Sequence, residues 1–245
     1  DIKRENWDIT AGFRSQHGQE CFLFDPLASD FRTHRWNPLG YVNENSDAFA
    51  VDDIMRIGSM VWSETEGNQG FFEGLARNLF IGFATMIRAT PELPFTLGEC
   101  LRQSMQPNLS DYLQELIEER EANGPELPPQ AIEAFNAFCG TSPNVQGSIL
   151  ATYQQKLELF TNPLIYAATS ENDFDLRDVR KKRMSIYLAT TPDNLERIAP
   201  LINLFLQQLV NLNTQELPEH NPDLKYQCLL LNDEFTAIGK IPILS

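Results

Sequence analysis

The sequence is poor in the groups that would build a zinc site or a disulfide framework. Its four cysteines, Cys21, Cys100, Cys139 and Cys228, lie far apart in apolar stretches without a C-x-x-C pair, and its three histidines are equally scattered. This pattern is typical of reduced core thiols in a cytosolic protein. No segment approaches the roughly 20 apolar residues of a membrane span, and no signal peptide is visible. The sequence therefore predicts neither structural disulfides nor zinc, and no membrane anchor within these residues.

A phosphate-binding loop of the form G-x-x-x-x-G-K-[ST] is also missing from the 245 residues. In P-loop NTPases, the backbone N–H groups and the lysine of that loop, the Walker A loop, cradle the nucleotide phosphates. The sequence begins with Asp1 rather than Met and stops at Ser245. Together with the nucleotide-site motif described below, these observations predict a piece of a longer protein.

Basic residues are scarce. Lys and Arg number 19 against 34 Asp and Glu, which gives a formal net charge of −15. Such a surface repels nucleic acid as a whole, so a DNA contact would need a local basic patch or a segment outside this sequence. One basic cluster is present, and two interpretations of it stay open: a solvated charged face, or a contact to DNA or a neighbouring subunit. Its members are Arg177, Arg180, Lys181, Lys182 and Arg183.

The most informative segment is an apolar run that ends in two acids. Cys228 to Leu231 is followed by Asn232, Asp233 and Glu234. This is the Walker B pattern, in which a buried parallel strand delivers carboxylates to its carboxyl end. Asp233 is predicted to hold the Mg²⁺ that bridges nucleotide phosphates, and Glu234 to polarise the attacking water as the catalytic base. The alternative is a core strand that ends in a solvated acidic turn.

The order of hydrophobic patterns predicts an α/β fold with a long helical interruption. Two strand patterns flank a helical stretch at 46–170, and a helix and a third strand pattern follow. This order is typical of a parallel-sheet core interrupted by an all-α insertion. The predicted domains are 1–45, 46–170 and 171–245. The predicted strands are 20–24, 183–189 and 226–231, and the predicted helices outside the insertion are 6–17 and 193–213.

Within the insertion, Thr96 and Glu99 form a capping-box pattern that starts a helix. A later helix, 111–121, carries an acidic face that is either a docking surface for a basic partner or simply solubilising. The acids of that face are Asp111, Glu115, Glu118, Glu119 and Glu121.

Four segments together resemble one family. DIKRENWDITAGFR at 1–14 is similar to a D-x-K-G-E-N…T-A-G-x-R segment, and FDP at 24–26 followed by RWNPL at 35–39 is similar to an f-d-P…r-[wy]-N-P-L stretch. Residues 170–188 match an s-x-x-d-F-d-l…t-i-Y-l segment, and DEFTAIGK at 233–240 matches D-E-F-x-x-[LI]-G-[KR]. In this order they resemble type IV secretion coupling proteins, the TraG/TraD-like ATPases. Two positions depart from the pattern, because Arg4 replaces a glycine and Asn232 replaces an apolar residue.

The resemblance implies a RecA-like P-loop NTPase core, here partial, with a large all-α inserted domain that recognises substrates. It implies ATP and Mg²⁺ as cofactors, a homo-hexamer, and a location at the cytoplasmic face of the bacterial inner membrane. Substrates would be relaxase–DNA complexes or effector proteins, passed to secretion channel components, with single-stranded DNA as a further possible ligand. It also implies that Asp1 and Lys3 lie near the phosphate edge of the sheet and support cofactor binding. These residues alone are expected to be inactive as an ATPase, since the Walker A loop is missing.

Two alternatives belong to other classes. A substrate-binding adaptor would use the all-α insertion without doing any chemistry. An FtsK-like translocase would move double-stranded DNA, but the insertion at 46–170 argues against it.

Overall fold

The computed structural model describes residues 1, 3–63 and 66–232. They divide into two compact units: residues 1–38 with the segment from 162 onward form the first, and residues 39–161 form the second. In chain order the helices and strands are α1 (Glu5–Gln16), β1 (Glu20–Phe24), α2 (Asp47–Val61), α3 (Gly67–Arg88), α4 (Leu97–Ser104), α5 (Leu109–Asn123), α6 (Pro129–Cys139), α7 (Pro143–Leu157), α8 (Pro163–Ala168), β2 (Met184–Leu188) and α9 (Leu195–Asn213). Short 3₁₀ turns lie at Pro38–Tyr41, Glu158–Thr161, Leu176–Asp178 and Pro192–Asn194.

The first unit is built on two parallel strands. β1 and β2 pair in register, with Phe22 opposite Ile186. The start of the chain is hydrogen-bonded beside β2, because the Asp1 nitrogen donates to the Leu188 carbonyl (2.9 Å) and the Lys3 N–H donates to the Thr190 carbonyl (3.0 Å). Parallel strands need a long crossover between them, which here contains the whole second unit. The predicted strand at 20–24 is confirmed, and the one predicted at 183–189 is confirmed over Met184–Leu188.

An aromatic cluster fills the core of this unit. Phe24 ends β1, Trp36 follows it, and Phe205 comes from α9; all three are fully buried. The Trp36 ring lies 4.8 Å from Phe205 and 5.8 Å from Phe24, measured between ring centroids. Trp36 therefore serves packing. Gln208 is buried on the same helix and donates from Nε2 to the Pro38 carbonyl (2.9 Å).

Ion pairs and hydrogen bonds join two chain segments, the one that leaves the first unit near Arg35 and the one that returns to it near Asp173. Arg35 pairs with Asp173 (2.7 Å) and Glu171 (2.6 Å), and the Asp173 N–H donates to the Arg35 carbonyl. The Trp36 N–H donates to the Ala168 carbonyl (2.9 Å). These bonds hold α8 within the first unit. The unit boundary accordingly lies at 161/162, where the sequence prediction has 170/171.

The described residues of the second unit form helices and 3₁₀ turns without a strand. α3 packs closely on α6, since a Cβ atom added at Gly82 would lie 2.8 Å from the Ala134 Cβ. The buried Glu73 carboxylate of α3 pairs with Lys156 of α7 (3.2 Å). In the described chain no helix is long and apolar enough to cross a membrane.

The capping box that starts α4 is half formed. The Thr96 hydroxyl accepts the Glu99 N–H (3.1 Å), as the sequence predicts. The Glu99 carboxylate is buried and accepts instead from Arg102 (2.7 Å) and Gln103 (2.6 Å). A buried carboxylate needs a charged partner, which explains why Glu99 turns away from the helix start.

The predicted buried strand at 226–231 is wrong for the residues that the structure describes. Residues 227–232 have no regular structure, and Leu229 and Leu231 are 83% and 79% exposed. An apolar run becomes a strand only beside a hydrogen-bonded neighbour. The described residues provide no such neighbour for Cys228–Leu231. Asp233 and Glu234 lie outside the described residues.

Candidate functional site

A cleft of about 920 Å³ opens in the first unit where β1 and β2 end. Its walls come from three segments within residues 3–8, 23–34 and 190–194. In open α/β sheets, ligands bind outside the carboxyl ends of parallel strands. The position of this cleft makes it the candidate site of the first unit.

The chain reverses direction at the rim of this cleft. Lys3 and Arg4 both have φ of +61°, in the left-handed region that L side chains occupy at a cost. α1 begins immediately afterwards. Its first N–H groups are capped by the Asp1 carboxylate, which accepts from Asn6 (3.1 Å) and Trp7 (2.9 Å). A carboxylate at this position also complements the positive end of the helix dipole.

The two residues predicted for cofactor binding therefore differ in what they contact. Lys3 is exposed and lines the cleft at the carboxyl edge of the sheet. The Asp1 carboxylate caps the start of α1. Its effect on a ligand would therefore act through the position of that helix. Their role in cofactor binding stays a prediction.

An ion-paired triad that sequence reasoning missed lies in the same wall. Arg4 donates from Nε to Asp25 (2.7 Å) and from both Nη atoms to Asp30 (2.8 and 2.9 Å). The hydrogen bonds with Asp30 raise the pKa of Arg4, and those from Arg4 lower the pKa of Asp30. The sequence offers one signal for this triad, namely that Arg4 stands where the family motif has a glycine. The spacing of residues in the sequence does not identify Asp25 and Asp30 as its partners.

A further segment of the cleft wall follows β2 and leads into α9. It carries the hydroxyl groups of Thr190 and Thr191 and the polar side chains of Asp193 and Asn194. The Asn194 Nδ2 donates to the Thr191 hydroxyl (2.9 Å). Within 1, 3–63 and 66–232, no group of three His, Cys, Asp or Glu is arranged to hold a metal ion. The predicted Mg²⁺ ligand, Asp233, and the predicted base, Glu234, are not among these residues.

The acidic helix of the second unit is α5. Leu109 and Leu113 bury its apolar side. All five acids predicted for its outer face are exposed, and the structure records no ion pair for them among the described residues. They are Asp111, Glu115, Glu118, Glu119 and Glu121. The face is therefore strongly negative, and its part in recognition stays a prediction.

Three of the five residues in the basic cluster at 177–183 pair with acids of the first unit. Arg177 pairs with Asp175 (2.8 Å), and Lys182 pairs with Asp178 (2.9 Å). Lys181 lies 3.9 Å from Asp178, and Arg180 donates to the Asn213 carbonyl (2.6 Å). These contacts favour the charged-face interpretation over a DNA contact.

Comparison with known proteins gives one consistent family. The model of the type IV secretory system conjugative DNA transfer family matches residues 1–245. Protein VirD4 of Rhizobium rhizogenes is 32% identical over 98% of this chain and 35% of its own length. The conjugal transfer protein TraG of Escherichia coli is 24% identical over 100% of this chain and 40% of its own. The chain thus spans 35% of the length of VirD4 and 40% of the length of TraG.

Solved structures of conjugative coupling proteins share the fold. Unbound TrwBdeltaN70 superposes with a TM-score of 0.55 at 12% identity, over 78% of this chain and 40% of that one. The plasmid coupling protein TrwB in complex with ADP and Mg²⁺ gives a TM-score of 0.51 at 11% identity, over 82% and 48%. At such identities the likeness establishes the α/β fold alone.

Proposed function

The chain belongs to the type IV secretory system conjugative DNA transfer family, and we propose that it is the cytoplasmic part of a coupling ATPase that binds ATP and Mg²⁺ at the carboxyl edge of its sheet. The observation that carries this proposal is the cleft at the ends of β1 and β2, with Lys3 in its wall. A lysine ammonium is a suitable point charge for a phosphate. TrwB, which shares the fold, binds ADP and Mg²⁺, and this supports a site for an adenine nucleotide and Mg²⁺.

The proposed catalytic roles follow the Walker B pattern. Asp233 would bind Mg²⁺ through a hard oxygen ligand, and Glu234 would orient and deprotonate the attacking water. Lys3 would contact the phosphates, while Asp1 would fix the start of α1. The core would be RecA-like, and the Walker A loop would come from residues outside this sequence.

The direct test is Mg²⁺-dependent ATP hydrolysis by the full-length protein that contains this sequence. Turnover should appear with ATP and Mg²⁺ and disappear when EDTA removes the metal, because the metal neutralises charge on the transferred phosphoryl group. Absence of turnover with both present, in protein that remains folded and hexameric, would overturn the proposal.

We also propose that the all-α inserted domain, predicted at 46–170, recruits substrates through the acidic face of α5. Substrates would be relaxase–DNA complexes or effector proteins, handed on to secretion channel components, and the motor could also engage single-stranded DNA. The protein would act as a homo-hexamer at the cytoplasmic face of the inner membrane. Support comes from charge: five exposed acids on one short helix attract a basic partner surface.

Charge reversal on α5 tests this recruitment. Replacing Glu115, Glu118 and Glu119 by Lys should weaken binding of the relaxase from the same transfer system by roughly tenfold or more at low salt, with less effect at moderate salt. The measurement is binding by calorimetry at two ionic strengths.

A matched control makes the same charge change at dispersed positions. Glu44, Glu92 and Glu126 are exposed acids of the second unit, and reversing all three should leave affinity nearly unchanged. If the α5 variant is folded and keeps both affinity and salt dependence, the acidic face is only a solvated surface.

A further inference from the structure

We propose that Arg4 is a positioning residue that ties the loop 25–33 to the chain reversal at residues 3–4 and partly offsets the negative charge of the acids in the cleft wall. Nothing in the motif pattern assigns this role, since the resemblance places a glycine there. The proposal deepens the proposed function because it concerns the same cleft. Its structural part concerns the first unit alone and can be tested without nucleotide.

The backbone conformation at this position is energetically unfavourable for arginine. Residues 1 and 3 are hydrogen-bonded to Leu188 and Thr190, and α1 begins at Glu5. The chain must therefore turn within Lys3 and Arg4, and both take φ of +61°. Glycine adopts this conformation without a steric penalty, whereas a residue with a Cβ atom does not. A side chain that persists here needs a compensating interaction, and the ion pairs of Arg4 provide one.

Those ion pairs cross from the chain reversal to the loop that follows β1. The Arg4 side chain is 19% exposed and meets the Asp25 carboxylate, 9% exposed, at 2.7 Å. Asp30 receives both Nη atoms in a bidentate contact at 2.8 and 2.9 Å. Bidentate, charge-assisted bonds are the strong and geometrically specific kind. One side chain therefore fixes the beginning and the far side of the loop against the start of α1.

Arg4 also sets the charge of the cleft. Asp25 is almost completely buried, so without Arg4 its carboxylate would lose its charged partner, which is strongly unfavourable. Asp25, Asp30 and Asp193 all line the cleft. With Arg4 present, its single positive charge partly offsets the charges of Asp25 and Asp30. Without it, any phosphate that approaches Lys3 would meet an acidic wall.

Arg32 lies outside the triad of Arg4, Asp25 and Asp30 and provides a matched control, because it contacts one of the same acids. Its Nε donates to the same Asp30 carboxylate at 2.9 Å, but its side chain is 82% exposed. Ion pairs of this exposed kind contribute little. Arg32 and Arg4 thus share an acceptor, and only Arg4 joins the loop to the chain reversal.

The first experiment is hydrogen exchange on the folded chain. The N–H groups of Lys3, Ala28 and Phe31 donate to the carbonyls of Thr190, Asp25 and Ala28 and report on the reversal and the loop. In Arg4→Ala and in Arg4→Gly these amides should exchange roughly tenfold faster or more, while Arg32→Ala should stay within about twofold of the parent.

The two Arg4 variants separate backbone strain from the ion pairs. Glycine relieves the strain and alanine keeps it, but both remove the guanidinium. Parent-like exchange in Arg4→Gly would overturn the proposal, because the backbone alone would then fix the loop. If either variant does not fold, Asp30→Asn, which removes one charged acceptor and keeps its shape, should give the same faster exchange at Ala28 and Phe31.

The second experiment measures Mg·ATP binding to the full-length protein. Arg4→Gly should weaken it by roughly tenfold, and adding Asp25→Asn and Asp30→Asn to Arg4→Gly should restore most of the loss, because the unpaired acids are then neutral. Unchanged ATP affinity in Arg4→Gly would overturn the charge role. If the parent protein does not bind ATP, the proposed function fails, and the exchange rates still decide the positioning role.

Discussion

Replacing Glu234 by glutamine in the full-length protein should leave nucleotide binding intact and lower ATP turnover by roughly 10²- to 10⁴-fold. Glutamine keeps the shape and the hydrogen-bonding reach of glutamate but cannot accept the proton of the attacking water. Binding depends on phosphate and metal contacts, which the substitution leaves in place. Calorimetry with a non-hydrolysable ATP analogue and a phosphate-release assay would measure the two quantities separately.

Glu219 provides the control for this substitution. It is an exposed glutamate of the same unit, away from the cleft lining, and Glu219→Gln should hydrolyse ATP at the parent rate. Parent-like turnover in Glu234→Gln would remove Glu234 from the mechanism. The alternative of a solvated acidic turn at the end of the run would then be the better interpretation.

Replacing Trp36 by alanine should destabilise the first unit by about 3–5 kcal/mol, the range for truncating a buried aromatic residue. The indole is fully buried between Phe24 and Phe205. Its Nε1 has no hydrogen-bond partner within the described chain, so the loss arises from packing. Urea unfolding followed by circular dichroism gives the change in unfolding free energy.

Phe31 supplies the comparison, since it is an aromatic residue of the same unit that is 77% exposed. Phe31→Ala should change the unfolding free energy by less than about 0.5 kcal/mol, as surface substitutions usually do. If Trp36→Ala costs no more than Phe31→Ala, the aromatic cluster does not stabilise this unit.

Several elements could be predicted because their signals are local. β1 is a short apolar run stopped by Asp25 and Pro26, and its ends agree with the prediction. The helix at 193–213 follows from helical spacing of apolar residues, and Leu201, Leu204 and Phe205 are buried in α9. The resemblance, through the motif at 1–14, implies a position for Lys3 near the carboxyl edge of the sheet, and Lys3 lines the cleft there.

Other features depend on contacts that spacing does not encode. Arg4 contacts acids 21 and 26 residues away in the sequence. Arginine as a residue type also gives no indication of a left-handed backbone conformation. The run at 226–231 has the composition of a strand, but composition does not specify a neighbouring strand. Glu99 matches a capping box, yet its burial among Arg102 and Gln103 redirects its carboxylate.

Hydrogen exchange of the full-length protein, with and without Mg²⁺ and a non-hydrolysable ATP analogue, tests most directly whether the cleft is the nucleotide site. Bound nucleotide should slow exchange in peptides that cover 3–8, 25–34 and 190–194, since these segments form the cleft. Peptides of the second unit, 39–161, should exchange as before. If the analogue binds and those three segments exchange unchanged while other regions become protected, the nucleotide site lies elsewhere.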